Sequence, residues 1–542
     1  MKRLITLAGL LVAAPLFGGG TSTTKQTAVS ASSRYATAAA LAVLGEKGNA
    51  ADAAIAAAFV LAVARPDAAG VGGGGMLVYH ERDRKATWVV DFREAAPAKL
   101  PPVPKEGPLT GVSAAAMPGL VRGLSDVHTR FGSRPWKELV LPASRLAEEG
   151  IIVDAALSGA IGKGLDSGRF DPQAAVIFAP DNKAPRAGDR LTQKQLATTL
   201  AKIASGADTF VDGALAIRIS DASAKTGGSL ALRDFREYRS EVRAPLSVQA
   251  GAYSLVPVPP PSTGGLILAS TLAIASGLDL GREGAESARF IHLVSESARR
   301  AMLDARRDVG DPAYTRVALD KILAPERLRL WRESIDLERA TPTRNLLPPA
   351  GAHTAHIAVI DARGNVASLT LSLSGEFGCG WVAGDTGILL NGAMNDFQAT
   401  VATLEAETTA PLPPNAMEPK KRPATLIAPC ILFFDGKPRM AIGAAGGEAI
   451  PHIVLAVLLR YASFGQSLPD AIAAPRIFRT EASDQLVCEK DRWPAETLAP
   501  LRSMGHGVEL RDAIGEVNAI LVTDSGLVAV ADPRGQGATG GN

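Results

Sequence analysis

The chain is poor in several features that commonly reveal a protein's chemistry. Its 542 residues include three cysteines, Cys379, Cys430 and Cys488, and seven histidines. An odd cysteine count excludes a full disulfide framework, and no paired-thiolate spacing is present to hold zinc. Buried free thiols are the expected state, which leaves stability to the hydrophobic core. None of the histidines falls in an HExxH pattern and no GxSxG elbow occurs, which argues against zinc peptidases and α/β-hydrolases. His353 and His356 are three apart on an expected strand, so their side chains point to opposite faces and do not share a metal.

Excess charge is missing as well. The 57 basic and 55 acidic residues leave a formal charge of +2, too little to recruit nucleic acid. With 46% hydrophobic and 21% charged residues, the chain is neither disordered nor a polytopic membrane protein in composition. Its length suits one large layered domain or two to three ordinary ones. Residues 1–20, MKRLITLAGLLVAAPLFGGG, set Lys2 and Arg3 before a short apolar run ending in small residues. That is the layout of a secretory signal peptide, too short to span a bilayer and without a lipoprotein cysteine. A secreted or periplasmic location is expected.

The pattern along the chain predicts helices packed on sheets. Tyr35 to Ala64 is alanine-rich and apolar on all sides, a buried helical segment interrupted by a cap or turn at Asn49 to Asp52. Met76 to Tyr79 and Thr87 to Phe92 read as paired strands around a charged turn. Residues 136–220 and 285–308 are helical in propensity and are expected to cover a sheet. Val256 to Gly265, VPVPPPSTGG, reads as a rigid loop leading into a helix. After residue 347 short strands dominate: 354–361, 367–373, 388–390, 431–434 and 440–442. Phe397 to Arg422 lacks periodicity and reads as a mobile loop near the strand ends. Gly70 to Gly75 formally satisfies GxGxxG but precedes a strand, so it reads as a tight turn rather than a dinucleotide site.

With metal and serine-triad patterns missing, the remaining chemistry is a nucleophile that carries its own base. A threonine, serine or cysteine that becomes the first residue of a chain has a free α-amine beside its side chain. That amine, with a pKa of about 8, serves as a general base near neutral pH. His353-Thr354-Ala355-His356 follows a proline- and glycine-containing loop and opens a strand, putting Thr354 where a turn meets a sheet. Threonines that open strands are common, and this pattern alone does not separate a nucleophile from a structural residue.

A series of blocks adds a second line of argument. GNAADAAIAAAFVLAVARP, GVGGGG, DFREAAP, MPGL, LPASRLAEEG, PPPSTGG, HTAHIAVIDARGN, GILLNGAMNDF, KKRP, GAAGGE and IGEVNAI occur in that order. The chain thereby resembles the gamma-glutamyltranspeptidase family of N-terminal-nucleophile hydrolases from about Gly48 to Gly537. The resemblance implies an α+β fold, a four-layer αββα sandwich, made as one precursor and self-cleaved between His353 and Thr354. Residues 21–353 would be the large subunit and 354–542 the small catalytic subunit, the two remaining associated. It implies Thr354 as nucleophile, assisted by the hydroxyl of Ser372, with Gly446 and Gly447 forming an oxyanion hole. Arg93 would hold the substrate carboxylate and Asp396 its ammonium. Ser374 and Thr425 would complete the glutamyl pocket. No metal or organic cofactor is required, and the partners are a small amide substrate with water or an amine acceptor.

Three positions depart from the family pattern. Ser374 replaces an asparagine, Ala393 a glutamine or glutamate, and Thr425-Leu426 a serine pair. Each shortens or removes a polar group in the glutamyl pocket, and one lost hydrogen bond to a charged group costs about 1.5–3 kcal/mol. Two enzyme readings follow: a γ-glutamyl hydrolase or transpeptidase, and an acylase of the same mechanism for glutaryl or other amine-free acyl groups. A third, an exported binding protein with a decayed site, predicts no processing.

Overall fold

The computed structural model describes residues 19–104, 106–342, 353–400, 412–480 and 483–542. Most of the expected signal peptide, the loop before His353 and the middle of the 397–422 segment lie outside the described residues.

Two seven-stranded antiparallel sheets face each other. In spatial order the first is Ala538–Gly541, Ala28–Ala31, Thr354–Ile360, Val366–Ser372, Gly74–Glu81, Ala86–Phe92 and Glu241–Arg243. The second is Gly20–Thr24, Gly526–Ala531, Glu516–Thr523, Lys437–Ala445, Cys430–Phe434, Tyr253–Pro257 and Val248–Ala250. Each sheet mixes strands from before and after position 354, so the two sides of that position form one body rather than two domains.

Helices cover both outer faces and complete an αββα sandwich. All fifteen residues of helix Ala50–Ala64 are buried, which is why its sequence shows no polar face. Its start is a capping box in which Asn49 and Asp52 exchange side-chain-to-backbone hydrogen bonds. That box splits the expected long helix into Arg34–Gly45 and Ala50–Ala64. The second sheet is covered by helices Thr263–Ala275 and Ile450–Phe464, and helix Ala288–Asp308 packs on Thr263–Ala275. Gly447–Phe464 has the length and hydropathy to cross a membrane, but two thirds of it is buried here, as in a core helix.

Strand alternation sorts the core into layers. Ala355, Ile357 and Val359 pack with Ala54, Ile55 and Ala58 on the helix side. Ala358 and Ile360 pack with Val78, Ile431 and Ile520 between the sheets. Thr354 and His356 share that inward parity.

Several expectations change. Residues 388–390 form isolated bridges, Val382 with Leu389 and Gly72 with Leu390, instead of a strand. Helix Trp136–Glu149 packs on helix Ala50–Ala64, forming a second tier rather than lying on the sheet. The described end of the 397–422 segment is anchored instead of loose: Asn415 donates to the Asp396 carbonyl, and Lys421 and Arg422 are buried. The three cysteines are free and buried.

Candidate active site

Thr354 opens its strand opposite Ser372 of the neighbouring strand. It is 4% exposed, and among the described residues its Oγ1 has no hydrogen-bond partner. The residue lines a cavity of about 810 Å³ shared with Ser372, Ser374, Asp396, Thr425 and Gly447. A buried hydroxyl normally finds a partner, so an unpartnered one at a cavity wall is placed to react or to bind.

Ser372 is fixed at the other side of the 353–354 bond. Its hydroxyl donates to the His353 carbonyl at 3.1 Å and accepts from the Ser374 N–H at 2.9 Å. The sequence paired Ser372 with the nucleophile's hydroxyl; the structure aims it at the carbonyl that the hydroxyl would attack. The His353 imidazole lies 3.9 Å from Glu376, and burial lowers its pKa against the opposing pull of Glu376 and Asp67.

Gly446 and Gly447 have φ of 146° and 59°, conformations that L side chains rarely adopt. They end the strand Lys437–Ala445 and lead into helix Ile450–Phe464. A helix N-terminus directs N–H groups outward and favours negative charge. Gly447 lines the cavity, and Gly446 sits behind it with its α-carbon region against Gly515.

Around Arg93, where the resemblance implies a side chain that holds the substrate carboxylate, the guanidinium is already engaged by other groups. Arg93 is 1% exposed; Nη1 donates to Glu94 at 2.5 Å and to Ser374 Oγ at 2.7 Å, and Nη2 is ion-paired with Asp396. Burial opposes the arginine's charge, and the carboxylates of Glu94 and Asp396 more than restore it. Burial also raises the pKa of Asp396 and of Glu94, with Arg93 pulling the other way. Arg93 and Asp396 thus meet, but they hold each other, and Glu94 was missed as the second counter-ion although DFRE displays it.

The loop PPPSTGG clasps a further part of the rim. Thr263 Oγ1 and the Gly264 N–H both donate to the Thr425 carbonyl. A Cβ on Gly264 would lie 2.1 Å from the Leu426 carbonyl oxygen, so this approach requires glycine. Leu426 faces the cavity, while Ala393 is buried and is not part of its wall. The GVGGGG turn performs a similar role: Cβ atoms on Gly72 and Gly73 would strike the carbonyls of Leu389 and Ser372 at 2.2 and 2.3 Å. Among the described residues no group of three or more His, Cys, Asp or Glu side chains is arranged to hold a metal ion.

The chain is similar to known hydrolases and acylases. The glutathione hydrolase proenzyme of Escherichia coli (strain K12) is 32% identical over 510 residues, covering 91% of this chain and 87% of that protein. The acylase ACY 1 proenzyme of Pseudomonas sp. (strain SE83) is 31% identical over 521 residues, covering 92% and 90%. Among solved structures, a cephalosporin acylase from Bacillus halodurans superposes with a TM-score of 0.86 at 27% identity, covering 96% of both chains. The family described as gamma-glutamyltranspeptidase matches residues 36–541. Fold, block order and sequence coverage agree: the chain belongs to the gamma-glutamyltranspeptidase family.

Proposed function

We propose that this chain is an exported, self-processing amidohydrolase whose nucleophile is Thr354, hydrolysing γ-glutamyl amides such as glutathione and transferring the acyl group to amines as a secondary outcome. The observation that carries the reading is the unpartnered Thr354 hydroxyl beside a His353 carbonyl already polarised by Ser372.

In processing, Thr354 Oγ1 attacks the His353 carbonyl carbon and its proton passes to the departing amide nitrogen. The resulting ester is hydrolysed by water, giving a His353 carboxylate and a free amine on Thr354. Ser372 would stabilise the oxyanion as it forms. Strands from both sides of the cut share both sheets, which supports the two products staying associated.

In turnover the new α-amine takes the Oγ1 proton as the hydroxyl attacks the substrate carbonyl. Gly446 and Gly447 N–H groups would bind the oxyanion, the leaving amine departs with the proton, and water or an acceptor amine resolves the acyl-enzyme. Asp396 would receive the γ-glutamyl ammonium, and Arg93 would turn from Asp396 to the carboxylate.

The second reading, an acylase for amine-free acyl groups, has its own support in the closed Arg93–Asp396 pair and in Leu426 on the cavity wall. Purified protein should yield a fragment beginning at Thr354 by intact mass, and release 4-nitroaniline from its γ-glutamyl anilide faster than from its glutaryl anilide. A single uncleaved chain would defeat the mechanism; the reverse rate order would replace the first substrate reading by the second. Export through residues 1–20 is tested by fractionation, and retention of an unshortened chain in the cytoplasm would refute it.

A further inference from the structure

Part of the cavity wall is built by helices Thr263–Ala275, Ala288–Asp308 and Ile450–Phe464. Ile267, Met302 and Ile450 make it apolar, and Arg306 and His452 bring polar groups to it. His452 stands on the first turn of helix Ile450–Phe464, directly after Gly446 and Gly447. Its ring lines the same cavity as Gly447 and Asp396.

His452 is unusual among the seven histidines. His80, His128, His292, His356 and His506 each have a ring nitrogen hydrogen-bonded within the protein, and His353 faces Glu376. His452 is 8% exposed, leans on Phe478 at 5.9 Å between ring centroids, and among the described residues neither of its nitrogens has a partner. Unlike the Nε2 of His356, its nitrogens are not sealed away from the cavity that the ring lines. A core role alone would be served by an apolar side chain, whereas a ligand in the cavity would pair the ring.

We propose that His452 is a specificity-determining residue for the amine half of the substrate, donating a hydrogen bond to a carboxylate carried by the leaving or acceptor amine. The inference rests on the amidohydrolase reading above. Burial, with Arg479 adding to it, holds the imidazole at a pKa of about 4, so near neutral pH it carries one N–H donor. Glu448, also on the cavity wall, accepts from the Thr480 hydroxyl at 2.9 Å. The apolar side chains suit an amine whose carboxylate is set on an apolar body, as in an amino acid or short peptide.

Two donors with one acyl group test this: the 4-nitroanilide and the 3-carboxy-4-nitroanilide, in the γ-glutamyl or glutaryl form that the enzyme accepts. The ratio of kcat/KM for the carboxylated over the plain anilide should be about tenfold in the wild type. It should fall toward unity in His452→Ala and stay high in His452→Gln, which keeps a donor. A wild-type ratio at or below one overturns the proposal without any variant, and so does an unchanged ratio in His452→Ala. Silence of fully processed wild type toward every donor would sink the amidohydrolase reading and this inference together.

Discussion

The corner around Thr354 and the end around Arg93 serve one cavity but are stabilised differently. The corner uses neutral groups: Thr354, Ser372, the Ser374 N–H and two glycines in left-handed backbone. The acyl end uses buried charge, with Arg93 bound by Glu94 and Asp396. Neutral hydroxyls at a strand end are held by the sheet and stay poised whether or not substrate is present. A closed ion cluster must be reopened or bypassed by the substrate, because an unpaired buried charge is expensive. On the proposed function, the difference would separate reaction from recognition: the corner would keep its chemistry while a change at the Arg93 end alters what is accepted.

The most severe way to break this contrast is Thr354→Ala. It should abolish processing, leaving one chain on a denaturing gel, and reduce amide hydrolysis by about a thousandfold or more. Two fragments from that variant would remove Thr354 from the corner's chemistry. Ser372→Ala deletes the donor on the His353 carbonyl and should slow self-cleavage about a hundredfold in a time course of purified precursor. A rate equal to wild type would show that the Ser372–His353 hydrogen bond is only structural.

Acid should act on the two regions in opposite directions. His356, two residues beyond Thr354, is fully buried, packs on Gly443 and bonds Thr370, and burial pushes its pKa down to about 3. The unfolded chain takes up this proton below about pH 6.5 and the folded chain does not, so no penalty exists above that pH. Between pH 6.5 and 5 the loss should reach about 2 kcal/mol for this group. Asp396 and Glu94 have raised pKa values, so the folded state binds their protons more tightly than the unfolded state. Their term therefore favours folding as pH falls into the carboxylate range. Denaturant midpoints for wild type and His356→Gln at pH 6.5 and 5 measure the first effect, and equal shifts in the two proteins would refute it.

The smallest expected effect sharpens the comparison from the recognition side. Leu426→Ser replaces an apolar contact on the cavity wall by a hydroxyl and should raise the ratio of γ-glutamyl to glutaryl anilide hydrolysis by up to about tenfold. Self-cleavage should be unaffected, because Leu426 has no contact with the Ser372–His353 bond. A fall in processing with no change in that ratio would erase the separation between corner and acyl end.

The elements around the site were legible because their signals are local. The run of apolar residues in TAHIAVI after a turn-rich loop marked the strand that begins at Thr354, and Asn49 to Asp52 marked a cap or turn that the capping box fulfils. The tight turn of GVGGGG was legible from glycine alone. The 388–390 segment was misread because three apolar residues satisfy a strand pattern, while the structure gives them only single bridges. His452 carried no signal, since a lone histidine after GAAGGE acquires meaning only from the cavity it faces.

By itself the sequence determined the family, the packing of helices on sheets, Thr354 where a turn meets a sheet, and the glycines that let backbones approach. Those properties depend on local periodicity, backbone freedom and block order. Tertiary structure alone decided that Arg93 is closed by partners 281 and 303 residues distant, Ser374 and Asp396, and that Ser372 points at the His353 carbonyl. It also decided that both sides of position 354 share each sheet. Ion pairing and hydrogen-bond direction depend on which distant groups arrive at the same place, and no spacing along the chain encodes that arrival.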